Sequence, residues 1–243
     1  MSGHNFQYTI EDRVRAAGWE TFSELSYIDD IELKQRKIDF VALQKRESHN
    51  PRGNQLAIVV ECKFLDQDVR CHLRPNPKDK KAYFIDGYNT EELLLDENRF
   101  HFFRPGEVAT NIIRDSKKKD NLGGAIMQAT KALLYLRGRG RKLDAKGIFF
   151  PVVVYGGTSK IYDQNNKELS NFLYYQSYEW KEPHSQNEII TRNIYVDVIK
   201  EDELEKYLKQ ISETEMDFLM SYNFFYHRQM QRRKNPDLSN PAR

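Results

Sequence analysis

Cysteine is scarce in this sequence, with only Cys62 and Cys71 among 243 residues. No Cys-x-x-Cys pair is present, so the spacing excludes both a disulfide framework and a cysteine-based zinc site. We therefore expect both thiols to be reduced.

Long hydrophobic runs are also missing, since no segment approaches the roughly 18 consecutive apolar residues that a membrane span requires. The first residues, from Met1 to Gln7, are too polar and too few to form a secretory signal. These absences predict a cytoplasmic protein with no membrane partner.

The sequence also lacks a strong excess of positive or negative charge. The chain has 38 Lys and Arg against 36 Asp and Glu, a formal net charge of +2. A strongly basic nucleic-acid-binding domain would have an isoelectric point above about 9, whereas this one lies near 8.3. Binding to an acidic polymer therefore has to be argued from local charge and not from the total.

The hydrophobic content of 39% is sufficient for a sizeable core in one domain. Apolar residues at helical spacing predict an opening helix from Tyr8 to Ala17, which Gly18 ends, and Trp19 to Tyr27 resembles a strand. Two apolar, β-branched stretches at 37–43 and 56–63 flank a turn-forming cluster, which predicts a β-hairpin.

The second half alternates helices and strands. A helix is predicted from Gly123 to Leu136, and strands at 147–155 and 193–199, the first of them buried on both faces. The fold class is therefore α/β, with a central mixed β-sheet flanked by helices. We predict one domain over 1–243, divided as follows: a core at about 8–64 and 121–200, an irregular insertion at about 65–120, and C-terminal helices at about 201–234.

Three charged residues in the hairpin point to chemistry. Glu61 and Lys63 share one face of their strand, because side chains alternate. If the hairpin turns about Asn50, residues whose numbers sum to 100 are paired, so Asp39 faces Glu61 with about 4.5–5.5 Å between the Cβ atoms. Two facing carboxylates on a half-buried sheet repel each other, and Mg²⁺, Mn²⁺ or Ca²⁺ would relieve that repulsion.

The Glu-x-Lys spacing alone is weak, because it recurs at Glu32 and at Glu179. A structural salt bridge on an edge strand is the competing interpretation of Glu61 and Lys63. What distinguishes Glu61 is its position at the end of an apolar strand, opposite a strand interrupted by a single acid, Asp39.

These residues resemble the core motif of the PD-(D/E)XK, or restriction-endonuclease-like, nuclease superfamily. Ile38-Asp39 matches one strand of the motif, and Glu61-Cys62-Lys63 matches the next. Glu11 on the opening helix and Gln128 on the helix after the hairpin extend the resemblance. No proline precedes Asp39 and the interval before Gln128 is long, so the resemblance identifies the superfamily and not a branch.

The resemblance implies a Mg²⁺- or Mn²⁺-dependent endo- or exonuclease that hydrolyses phosphodiester bonds in DNA. Asp39, Glu61 and the Cys62 carbonyl would bind the metal, and Lys63 would orient the attacking water or stabilise the transition state. Glu11 would complete the metal shell, with a solvated helix residue as the alternative. Gln128 would position water or phosphate, and its apolar neighbours imply that its amide needs partners.

Nucleic-acid contacts are expected from local basic runs, because phosphate neutralisation supplies most non-specific affinity. The leading candidates follow the Gln128 helix or precede it: Arg137, Arg139, Arg141, Lys117, Lys118 and Lys119. Further basic runs are Lys78, Lys80 and Lys81, and Arg228, Arg232 and Arg233. Most such runs are only solvated faces, so we expect at most two of the four to bind.

Two weaker signals remain in the sequence. Gly156-Gly157-Thr158-Ser159-Lys160 lacks the order of a phosphate-binding loop, so a plain turn is favoured. Aromatic residues at 222, 225 and 226 are spaced for a helix face that belongs to the core, a homodimer contact or a base-stacking surface.

Two alternatives to a nuclease stay open. One is a non-catalytic member of the same fold that binds nucleic acid or protein. The other is an unrelated α/β interaction protein.

Overall fold

The computed structural model describes residues 3–29, 32–44, 54–75, 107–113, 121–138, 146–181 and 189–213. The described helices are α1 (Gly3–Ala16), α2 (Asn121–Gly138) and α3, over 204–213. A short 3₁₀ turn, Glu201–Glu203, comes directly before α3. The strands are β1 (Trp19–Ser23), β2 (Ser26–Ile28), β3 (Gln35–Lys37), β4 (Phe40–Gln44), β5 (Asn54–Phe64), β6 (Val69–Pro75), β7 (Glu107–Ile113), β8 (Lys146–Gly156), β9 (Ile161–Tyr162), β10 (Glu168–Leu169), β11 (Asn171–Lys181) and β12 (Ile189–Lys200).

Ten of the strands form one mixed sheet in the order β1-β4-β5-β8-β12-β11-β7-β6-β9-β10, and β2 pairs with β3 separately. β5, β8 and β12 run parallel at its centre, while β4 and β11 pair antiparallel on either side of them. The predicted α/β class and central mixed sheet are thus confirmed for the described part of the chain.

The hairpin register follows the sequence prediction. Phe40 pairs with Val60 and Val41 with Val59, so the paired numbers sum to 100. β8 is buried on both faces as predicted, because Val153 and Val154 belong to hydrophobic clusters on opposite sides of the sheet. The turn of the hairpin, at 45–53, lies outside the described residues.

Hydrophobic side chains cover the sheet on both faces. On one face α1 and α3 pack Phe6, Ile10 and Tyr207 against even-numbered residues of β4 and β5. On the other face α2 packs against their odd-numbered residues, Val41 and Val59 among them. Alternation along β5 therefore assigns its final residues to opposite layers of the domain.

Several sequence predictions need correction. The opening helix begins at Gly3, not Tyr8, and Ala17 is exposed, because the buried face runs through Phe6, Ile10 and Val14. The strand predicted from Trp19 to Tyr27 is divided into β1 and β2 at Glu24, whose φ of 58° interrupts an extended chain.

The segment predicted as an irregular insertion is partly sheet. Its described residues include β6 and β7, which pair antiparallel with each other inside the ten-stranded sheet. The pattern was missed because exposed polar residues such as His72 and Arg74 alternate with only a few buried ones. Residues 76–106 and 114–120 lie outside the described residues, as does the C-terminal stretch after 213.

The described helices include none that is both long enough and apolar enough to cross a membrane.

The glycine-rich sequence after β8 forms a tight turn, as favoured from the sequence. β9 follows at Ile161, so no helix follows to complete a phosphate-binding loop. Gly157 has a φ of 111°, and a Cβ built there would lie 2.3 Å from the Leu65 carbonyl oxygen. This close approach joins the chain leaving β8 to the chain leaving β5.

We expect Gly157→Ala to lower the free energy of unfolding by about 2 kcal/mol or more, because it adds both a backbone clash and an unfavourable φ. Gly124→Ala is the matched control, since a Cβ on this exposed helical residue meets nothing within 4 Å. Gly124→Ala should raise the free energy of unfolding by about 0.5–1 kcal/mol. Urea unfolding of both variants measures the difference, and equal effects would contradict the assigned turn.

Candidate active site

The end of β5 extends beyond the first residue of its antiparallel partner, β4. Pairing with β4 stops at Val60, opposite Phe40, and Asp39 lies in the bend just before β4. The Asp39 Oδ2 atom accepts a hydrogen bond of 2.7 Å from the Cys62 backbone N–H. A carboxylate therefore takes the place of the next strand residue at this edge of β5.

The same bond indicates where the Cys62 carbonyl points. In a strand, the N–H and C=O of one residue are directed towards the same neighbouring strand. The Cys62 carbonyl therefore faces the edge at which Asp39 lies. Burial raises the pKa of the Cys62 thiol well above its ordinary value, and the negative charges of Asp39, Glu61 and Glu11 raise it further. The Cys62 side chain packs against the hydrophobic layer on the α1 side, so at this edge Cys62 can offer a cation its carbonyl oxygen and not its sulfur.

Glu61 is the most unusual group at this edge. The residue is only 5% exposed, and its Oε1 atom is buried without a hydrogen-bond partner. The ladder ends at Phe40 and Val60, but the charge and the backbone amide of Asp39 both act on Glu61, so the two acids lie close together. A buried, unpartnered carboxylate oxygen is costly, and such atoms are rare in folded proteins.

The electrostatics of the two acids agree with this placement. Burial, and secondarily the charge of Asp39, raises the pKa of Glu61 well above its ordinary value, while the Asp39 backbone amide and Lys63 oppose the rise. Burial also raises the pKa of Asp39, against the Cys62 N–H, Lys63 and His4. In the absence of a cation, the pair thus favours keeping a proton.

Lys63 is half-buried two residues beyond Glu61. Alternation gives the two side chains the same face of β5, while Cys62 packs against the opposite layer. The Lys63 ammonium is close enough to lower the pKa of both Asp39 and Glu61. The three residues singled out in the sequence are therefore brought together.

Glu11 is buried and has polar partners of its own. It is 1% exposed, so the alternative of a solvated helix residue is wrong. Its Oε1 atom accepts hydrogen bonds from Arg15, from the Thr21 hydroxyl at 2.9 Å and from the Ser23 hydroxyl. These partners lie on the α1 side of the sheet, whereas Glu61 belongs to the α2 side. Glu11 is paired with Arg15, and its assignment to the metal shell stays a prediction.

The part of α1 that approaches the site is one turn earlier. The Gln7 Nε2 atom donates a 2.9 Å hydrogen bond to the Asp39 carbonyl, and the exposed His4 lowers the pKa of Asp39. Neither residue was predicted from the sequence. The available signal was their spacing, because His4, Gln7 and Glu11 recur at intervals of three and four residues on one side of the helix.

Gln128 is half-buried on α2, between the buried residues Ala125 and Ala132. Its assignment to water or phosphate stays a prediction. The six basic residues predicted to contact nucleic acid, Lys117, Lys118, Lys119, Arg137, Arg139 and Arg141, lie outside the described residues, except that the backbone of Arg137 belongs to α2. The aromatic positions 222, 225 and 226 and the remaining basic runs also fall outside them.

The donor set fits a hard cation that needs few side-chain ligands. Within the described ranges there is no group of three or more His, Cys, Asp and Glu side chains arranged to hold a metal. Mg²⁺ is commonly held by one or two carboxylates, with water and substrate phosphate completing its shell. Asp39, Glu61 and the Cys62 carbonyl are suited to that arrangement, and the unpartnered Glu61 oxygen is the observation that supports it.

Comparison of the chain with family models, curated proteins and solved structures finds no match. The function therefore has to be inferred from the geometry of Asp39, Glu61 and Lys63 and from the sequence resemblance.

We expect Glu61→Gln to stabilise the metal-free protein at neutral pH by about 1–3 kcal/mol, because it removes a poorly solvated charge. A carboxyl whose pKa is raised on folding makes its full contribution to the free energy of unfolding when the pH is below its ordinary pKa of 4.5. This contribution is lost as the pH rises through the folded pKa. The gain from Glu61→Gln should therefore grow as pH rises above the ordinary value of 4.5. Urea unfolding in EDTA measures it.

Glu213→Gln is the matched control, because Glu213 is an exposed acid whose ion pair with Lys209 lies on the surface. Its stability should follow the wild-type pH dependence within about 0.5 kcal/mol. A Glu61→Gln variant that parallels this control at every pH would contradict a buried carboxylate whose Oε1 atom has no partner.

Proposed function

We propose that this chain is a Mg²⁺-dependent nuclease that hydrolyses phosphodiester bonds in DNA. The observation that carries the proposal is the buried Glu61 oxygen without a partner, beside the Asp39 carboxylate. Two adjacent carboxylates out of water repel each other unless a proton or a cation lies between them. A divalent ion would satisfy both acids at neutral pH.

The roles of the protein groups follow from their chemistry. Asp39 and Glu61 would hold Mg²⁺ or Mn²⁺, together with the Cys62 carbonyl. When bound, such an ion supplies a water of lowered pKa and neutralises charge on a phosphate. Asp39 keeps its orientation through the Cys62 N–H, which leaves its Oδ1 atom for the cation.

Lys63 would act on the reacting phosphate. Its ammonium is a compact charge with rotatable donors, suited to orienting the attacking water or stabilising the negative transition state. Its influence on the pKa values of both acids supports a position beside them. An ammonium so placed also keeps the anionic pair from repelling an anionic substrate.

The choice of DNA as substrate comes from the superfamily resemblance of Ile38-Asp39 and Glu61-Cys62-Lys63. The basic runs at 117–119 and 137–141 are the candidates for phosphate contacts. Gln128 on α2 is proposed to position water or a backbone phosphate.

We expect Asp39→Asn and Lys63→Ala each to lower kcat for DNA cleavage in Mg²⁺ by about 100-fold or more, since each removes a charge that acts in the transition state. The amide oxygen introduced by Asp39→Asn would still accept the Cys62 N–H, so the fold should be retained. Cleavage of duplex and single-stranded DNA and RNA, with Mg²⁺, with Mn²⁺ and with EDTA, gives the measurement.

Asp12→Asn and Lys206→Ala serve as matched controls, because both residues are exposed and distant in sequence from the motif. They should cut at the wild-type rate. Cleavage that persists at full rate in Asp39→Asn or in EDTA would refute the proposal. Nucleic-acid binding with no cleavage by the wild type would favour the non-catalytic alternative.

A further inference from the structure

The bend that carries Asp39 is held by a residue distant in sequence. The Gln7 Nε2 atom donates a 2.9 Å hydrogen bond to the Asp39 backbone carbonyl across 32 residues of chain, in a partly buried position. Gln7 is itself half-buried on α1. The bond therefore links the first turns of α1 to the candidate site.

Asp39 needs such support because it lies between two elements and belongs to neither. Ile38 before it donates its N–H to the Leu25 carbonyl at 2.8 Å, and β4 begins only at Phe40 after it. The Asp39 carbonyl is thus held by a side chain and not by a strand ladder. A shift of the backbone at Asp39 would move its carboxylate relative to the Cys62 N–H.

We propose that Gln7 is a positioning residue for the site. Its amide fixes the Asp39 backbone so that the carboxylate stays beside Glu61 and accepts the Cys62 N–H. This inference rests on the proposed metal-dependent function. Gln7 itself contacts the Asp39 carbonyl, so it acts through Asp39 and is not assigned to the cation or to the substrate.

The variants isolate this one bond. Gln7→Met keeps the length of the side chain and removes the donor, and Gln7→Glu keeps the shape and replaces the donor with an acceptor. Thr9→Ala is a close control, because the Thr9 hydroxyl also donates a 2.9 Å bond to a backbone carbonyl, that of Asn5, on the exposed side of the same helix. Circular dichroism of the full chain checks that each variant folds.

The first readout needs neither metal nor nucleic acid. Hydrogen exchange of the Cys62 amide reports whether Asp39 still accepts its proton, so Gln7→Met should speed that exchange roughly three- to tenfold. Thr9→Ala should leave it unchanged. A merely structural role in anchoring α1 would change exchange along the helix and not at Cys62.

The second readout is affinity for Mn²⁺ alone, measured by calorimetry. Removing a partner that orients a metal ligand lowers metal affinity or activity by about 10- to 100-fold. Gln7→Met and Gln7→Glu should show that loss in Mn²⁺ affinity, and in kcat for DNA cleavage, with KM for DNA changed little. Should Gln7→Met fail to fold, Gln7→Glu provides the same comparison.

The outcomes separate the two proposals. Gln7 variants that match Thr9→Ala in both Cys62 exchange and Mn²⁺ affinity would overturn the positioning role. A wild-type protein that neither binds Mn²⁺ nor cleaves DNA would refute the proposed function instead, and Cys62 exchange alone would then decide whether Gln7 holds Asp39.

Discussion

The hydrogen bond from the Cys62 N–H to the Asp39 carboxylate is the interaction on which the site depends. It closes the edge of β5 where β4 has not yet begun, and it places a carboxylate where a strand would otherwise continue. The Cys62 carbonyl faces that same edge. One bond therefore brings an acid and a carbonyl oxygen beside Glu61, whose Oε1 atom has no hydrogen-bond partner. In our proposal a cation compensates that oxygen.

Side chains alternate along β5, so at its end the charged residues and the apolar residues lie on opposite faces of the sheet. Cys62 and Phe64 join the hydrophobic layer beneath α1, whereas Glu61 and Lys63 take the other face, that of α2. The Glu61 carboxylate is buried because α2 and the central strands cover that face, and its pKa rises for this reason first. A strand at the centre of a sheet can thus hold a charged group only if something compensates the charge, which is the constraint that our proposal meets with a divalent ion.

The sequence was informative where periodicity and pairing were local. The hairpin register, which pairs Phe40 with Val60, could be predicted because two apolar stretches flank a single turn-forming cluster. Much of the remainder of the sheet was not predicted, because β6 and β7 are polar on one face and are separated by a long segment. The long strand β11 was also missed, although its alternating Phe172 and Tyr174 were a usable signal. Gln7 could not be predicted as a partner of Asp39, because only tertiary packing of α1 joins residues so distant in the chain.

The most direct test of the central claim is crystallographic. Crystals grown with Mn²⁺ would show by anomalous scattering whether a metal lies between Asp39 and Glu61. We expect a peak about 2.0–2.6 Å from the Glu61 Oε1 atom and from an Asp39 oxygen, with the Cys62 carbonyl beside it. Crystals in which both acids are ordered and no anomalous peak lies between them, at millimolar Mn²⁺ and neutral pH, would contradict the proposed metal site.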